Sequence, residues 1–125
     1  MKRIMLAPFL LLMIAGCADR SGGEYFGKWT RQITNRQASF TGGERIDVIR
    51  DTLTIERNGD GFLLRTARTL TQGGGKPTSY PEVKTPAVLK DGQLQVAGGL
   101  GAYVIEKSNG HLVSPDGQGD FTKAN

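Results

Sequence analysis

The chain has 125 residues, a formal net charge of +4, one cysteine and one histidine. Cys17 alone makes no intrachain disulfide or thiolate metal cluster, and His111 alone leaves too few ligands for a zinc or copper site. Lysine and arginine are scattered rather than clustered, which argues against a nucleic-acid partner, and the length suits one small domain.

The N-terminus comes first. Lys2 and Arg3 give a positive start, and Ile4 to Ala15 is an unbroken apolar run. As a helix that run rises only about 18 Å, against a hydrocarbon core of about 30 Å. It is too short to span a membrane and has the form of an export signal. The residues Ile14-Ala15-Gly16-Cys17 resemble the lipobox of bacterial lipoproteins. That resemblance implies cleavage before Cys17, a diacylglyceryl group on its thiol and an acyl chain such as palmitate on the new N-terminus. Each buried CH₂ contributes about 0.8 kcal/mol, so three chains anchor a protein almost permanently. Residues 1–16 are then a signal peptide, 17–23 a lipidated N-terminus with its tether, and 24–125 a single β domain. Loss of Lys2 and Arg3 lowers the net charge by two. The tether Ala18 to Gly23 is small and polar and reaches roughly 20 Å at most. Ala18 follows the cysteine and Asp19 comes one residue later. In the enterobacterial sorting rule, aspartate directly after the cysteine retains a lipoprotein in the inner membrane. The resemblance therefore implies the bacterial cell envelope, at the outer membrane and facing the periplasm.

From Tyr25 onward the pattern is all-β. A first strand is predicted near Tyr25 to Thr34. Thr52-Leu53-Thr54-Ile55-Glu56 puts Leu53 and Ile55 on one face. Phe62 and Leu64, Leu94 and Val96, Tyr103 and Ile105, and Phe121 and Lys123 make similar pairs. Period-two alternation buries one face of an antiparallel sheet. Between these segments lie Asn58-Gly59-Asp60-Gly61, Asp91-Gly92, Asn109-Gly110 and Asp116-Gly117, which supply the positive φ of tight hairpin turns. The expectation is an antiparallel meander of about 7–8 strands. Its edges are hidden by closure into a small barrel or by folding into a β-sandwich.

Gly27-Lys28-Trp29 resembles the Gly-x-Trp at the start of the first strand in lipocalin-like barrels. In that family the tryptophan plugs one end, and a basic residue from the last strand lies across it. The resemblance gives Trp29 and Lys123 those parts as a barrel-end pair. The chain departs from the family in lacking its disulfides and its late helix.

Residues that carry chemistry elsewhere are poorly placed here. His111, Ser114 and Asp116 are close in sequence, but positions three apart on a strand point to opposite faces. Asp116-Gly117-Gln118-Gly119-Asp120 alternates oxygen ligands like a calcium loop but lacks the later bidentate glutamate. Gly98-Gly99-Leu100-Gly101 has no following helix to hold a phosphate, so a bulge or tight bend is expected. No catalytic residue, metal site or cofactor is expected, apart from the covalent lipid on Cys17.

The segment Thr71 to Ala87 is rich in glycine and proline and too irregular for a central strand. It reads as a long loop, either a crossover between halves of the sheet or a binding loop in which Lys76 and Lys84 flank the aromatic anchor Tyr80. The first expectation is a non-enzymatic envelope module that binds a protein partner as an accessory or inhibitor. The alternative is a carrier of a small apolar ligand held among Trp29, Phe62, Tyr103 and Phe121.

Overall fold

The computed structural model describes residues 22–38 and 42–124. The signal segment, Cys17 and the tether up to Ser21 lie outside the described residues. A short 3-10 turn, Gly23–Tyr25, leads into nine strands: β1 (Gly27–Ala38), β2 (Glu44–Asn58), β3 (Gly61–Gln72), β4 (Thr78–Ser79), β5 (Val83–Lys90), β6 (Gln93–Val96), β7 (Ala102–Ile105), β8 (Leu112–Val113) and β9 (Thr122–Lys123). The sheet order is β8-β7-β6-β5-β3-β2-β1-β9, with β4 added to β3. Every pairing is antiparallel.

The two ends of this sheet meet. Leu112 and Phe121 exchange backbone hydrogen bonds of 2.8 Å in both directions, which links β8 to the residue preceding β9. The result is a nearly closed barrel rather than a sandwich, and closure removes most exposed edge.

The turn residues explain the hairpins. Lys90 pairs with Gln93, so the β5–β6 connection is the two residues Asp91 and Gly92. Both have positive φ, 54° and 78°, as the favoured two-residue turn requires. Gly98 and Gly99 make a tight bend that returns Val96 N–H to the Gly101 carbonyl at 2.9 Å.

The segment Thr71 to Ala87 is not a long loop. It completes β3, turns through Gly73 and Gly74 at positive φ, folds back as β4 along Thr69 and Leu70, and enters β5. Pro86 is tolerated because it lies one residue beyond the β5–β6 ladder. Its carbonyl accepts Ala97 N–H at 3.0 Å, on the side where an N–H would have pointed.

The core gathers at one end. Tyr25, Trp29, Leu53, Ile55, Phe62, Leu64, Ala87, Leu94, Leu112 and Phe121 are all buried. Full burial of a large apolar side chain contributes about 1.5–3 kcal/mol, so these residues supply much of the drive to fold. Gly22 belongs to this packing rather than to a tether. It is buried, and a Cβ there would lie 2.6 Å from Phe62 Cζ.

Strands β1, β2 and β3 outrun the barrel. Pairing of β1 with β9 ends at Thr30, and pairing of β3 with β5 ends at Thr66. Beyond those points the three strands continue together to Ala38, Glu44 and Gln72. This extension forms one wall of the open end.

Candidate functional site

Register places side chains of three strands in successive rungs on the inner face. Trp29, Leu53 and Thr66 form one rung; Arg31, Asp51 and Arg68 the next; Ile33, Ile49 and Leu70 the third. Side chains two apart on a strand share a face, so a charged rung sits between two rungs that are largely apolar.

The charged rung is closely bonded. Asp51 is only 1% exposed. Its Oδ1 accepts Arg68 Nε at 2.7 Å, and its Oδ2 accepts Arg68 Nη2 at 2.8 Å and Arg31 Nε at 2.9 Å. The Arg31 side chain is 5% exposed. It donates to both Asp116 oxygens, at 3.0 and 2.6 Å, and to the Gly119 carbonyl at 3.0 Å. Its guanidinium also lies 4.4 Å from the centre of the Phe121 ring. Arg68 Nη2 reaches Gln118 at 3.3 Å. The connection from Ser114 to Phe121 is thus tied across the barrel to β1 and β3.

The electrostatics follow from these bonds. Burial alone raises the Asp51 carboxyl, but hydrogen bonds and charge from Arg68 and Arg31 outweigh it and hold the group below its ordinary value. Arg31 holds the Asp116 carboxyl well below the ordinary carboxylate range, helped by Gln118 N–H and Ser114. Burial pushes the Tyr103 hydroxyl up, opposed by a hydrogen bond with Ser114.

Above this rung the barrel opens into a cavity of about 490 Å³. Ile49, Leu70, Pro81 and Val83 form its apolar side, with Tyr80, Tyr103 and Phe121 as aromatic surfaces. The four charged residues in its lining are Arg31, Asp51, Arg68 and Asp116. The volume lies in the range of small-molecule pockets, which typically combine apolar walls with a few fixed polar groups.

Tyr80 arrives there because its N–H bonds the Arg68 carbonyl at 2.9 Å as β4 folds onto β3. Its neighbours in the candidate loop do not follow. Lys84 sits opposite Arg65 in the β3–β5 ladder, and Lys76 lies in the exposed turn. Neither Lys76 nor Lys84 lines the cavity. Of the four aromatics expected around a ligand, Tyr103 and Phe121 border the cavity; Trp29 and Phe62 belong to the filled end.

At that filled end Trp29 is buried and donates Nε1–H to the Tyr25 carbonyl at 3.0 Å. Lys123 Nζ lies 4.6 Å from the centre of the Trp29 ring and donates to the Phe26 carbonyl. Gly27, at φ 118°, leaves room for it: a Cβ there would sit 3.0 Å from Nζ. Tyr25 hydroxyl closes the end by donating to the Gly92 carbonyl at 2.7 Å.

His111, Ser114 and Asp116 do not assemble as a trio. His111 Nδ1 is 3.8 Å from Asp120, whereas Asp116 is committed to Arg31. No group of three or more potential metal ligands occurs among the described residues.

Sequence reasoning overlooked Arg31, Asp51 and Arg68 because charge at an inward position reads as a break in alternation. The signal was parity: Arg31 follows Trp29 by two, Asp51 precedes Leu53 by two, and Arg68 follows Leu64 by four.

No protein-family model, curated protein or solved structure matches this chain. Fold and site therefore define it only as a small antiparallel β-barrel, filled at one end and open at a charged, aromatic-lined mouth.

Proposed function

We propose that this chain is a lipid-anchored envelope protein that acts by binding rather than by catalysis, with a small, largely apolar ligand held in the mouth of its barrel. The observation that carries the reading is the 490 Å³ cavity between the charged rung and the apolar extension of β1–β3. The envelope anchor rests on Ile14-Ala15-Gly16-Cys17 in the sequence. The lipocalin-like character rests on the barrel and on the Trp29–Lys123 contact at its filled end.

The test uses the full chain carrying Cys17→Ser, which takes no diacylglyceryl group. The neutral dye N-phenyl-1-naphthylamine is titrated against it. The expected result is saturable fluorescence at one dye per chain, lost in Val83→Trp, which fills the cavity from an exposed strand position. Absence of saturable binding breaks the carrier reading.

The accessory or inhibitory protein-binding reading draws support from a different observation. Tyr80, Val83 and Leu100 are exposed at 47, 59 and 68%. Tyr80 and Val83 line the cavity, and Leu100 lines a depression that shares Thr66, Tyr103 and Asp116 with it. Exposed apolar groups around a recess are a common form of protein contact. A chain that binds no dye yet captures one envelope protein, through a contact broken by Tyr80→Ser, fits this reading instead.

A further inference from the structure

We propose that the mouth selects neutral ligands carrying a hydrogen-bond acceptor, and that Asp116 is the residue that sets this selection. The inference rests on the ligand-carrier reading above and specifies the class of ligand.

The argument is one of charge and of occupied hydrogen bonds. Four charged side chains line the cavity, two arginines and two aspartates, and they neutralise one another. Both Asp51 oxygens are taken by Arg31 and Arg68. Arg31 spends its Nε on Asp51 and both terminal nitrogens on Asp116, with Gly119 as a further acceptor. An ion entering a largely apolar recess loses hydration, and only paired, hydrogen-bonded counter-charges replace it. Here the counter-charges already satisfy each other. An entering carboxylate meets Asp116 as well as Arg68, and an entering ammonium meets Arg68 and Arg31 as well as Asp116. Neither sign gains.

Arg68 keeps a donor that these bonds do not use. Among the described residues, Arg68 Nη1 has no hydrogen-bond partner, while its Nε and Nη2 serve Asp51 and Gln118. The Arg68 side chain is partly exposed and lines the cavity. A hydroxyl, ester or amide oxygen satisfies such a donor without adding charge. The aliphatic remainder of the ligand then lies along Ile49, Leu70 and Val83.

Asp116 is the adjustable member. Its side chain is 41% exposed, against 1% for Asp51. It lies in the connection between β8 and β9 rather than in the core. Replacing it removes one negative charge while leaving Asp51 and the barrel strands in place.

The experiment displaces N-phenyl-1-naphthylamine from the full chain carrying Cys17→Ser with three ligands of equal chain length: 1-decanol, decanoate and decylammonium. Decanol is expected to displace the dye at least tenfold better than either ion, with little dependence on salt. In Asp116→Asn, decanoate is expected to gain at least tenfold, and the gain fades at high salt. In Arg68→Gln the gain passes to decylammonium. Circular dichroism checks that each variant folds. Ions that displace the dye from the parent chain as well as decanol does overturn the inference and leave the carrier reading standing. So does an Asp116→Asn chain that keeps the parent order of ligands while Arg68→Gln also leaves it unchanged. A chain that binds no dye overturns both.

Discussion

At the filled end of the barrel, Trp29 and Leu53 face each other across β1 and β2 and are sealed by Tyr25 and Lys123. Two residues further along the same strands, Arg31 and Asp51 face each other beneath an open cavity. The backbone is the same continuous ladder in both places. The side chains alone make one end a solid core and the other a recess. The filled end is held by apolar contact, which is non-directional and tolerates water poorly. The mouth is held by directional bonds between charges, which keep long side chains extended instead of letting them collapse into the space above.

The comparison is broken most severely at the filled end. Trp29→Ala removes the largest side chain in the plug and its bond to the Tyr25 carbonyl. It is expected to cost about 3–5 kcal/mol in urea unfolding, while residual dye binding at the mouth separates the two ends. A loss below 1 kcal/mol means the tryptophan is not a structural plug.

Asp51→Asn comes next. It leaves Arg31 and Arg68 facing each other without the buried carboxylate, at an expected cost of about 3 kcal/mol. Partial exposure of Arg68 keeps this at the low end of such losses. The same network predicts the acid response. The folded pKa values of Asp51 and Asp116 are depressed, so their contribution is fully present above the ordinary carboxylate pKa of about 4. It is lost as pH falls through the lower folded values. Stability measured by thermal melts should therefore decline below about pH 4. In Asp51→Asn that decline should be shallower. An equally steep acid transition in both proteins would mean that Asp51 is not one of the acid-sensitive groups.

Lys123→Met is the mildest change. It shortens the side chain by one atom and removes the charge over the Trp29 ring and the bond to the Phe26 carbonyl. A cation over an aromatic ring at an exposed site contributes about 0.5–1 kcal/mol, and the thioether recovers part of the contact. Intrinsic tryptophan fluorescence should report the change more sensitively than unfolding does. An unaltered emission spectrum would mean that the ammonium does not rest on the ring in solution.

Much of this architecture was legible because β structure writes itself in alternation and turns. Leu53 and Ile55, Leu94 and Val96, and the Asp91-Gly92 turn fall where period two and positive φ require them. The segment from Thr71 to Ala87 was misread for a local reason. Glycine and proline weaken a strand assignment, but Gly73 and Gly74 merely reverse the chain, and Pro86 lies just past the end of a ladder. The charged rung was missed for a different reason. A single inward charge looks like an error in a strand, and only its partners on two other strands make it tolerable.

By itself the sequence determined the all-β class, the hairpin positions, the apolar residues of the plug and, through Cys17 and its neighbours, the expectation of an anchor. These depend on short stretches of chain, where neighbouring residues carry the whole signal. Tertiary structure decided that the meander closes on itself through Leu112 and Phe121. It also brought Arg31, Asp51, Arg68 and Asp116, as much as 85 residues apart, into one network. Register across three strands and the return of the C-terminal segment set that proximity. A buried charge is stable only where those long-range pairings deliver its counter-charge.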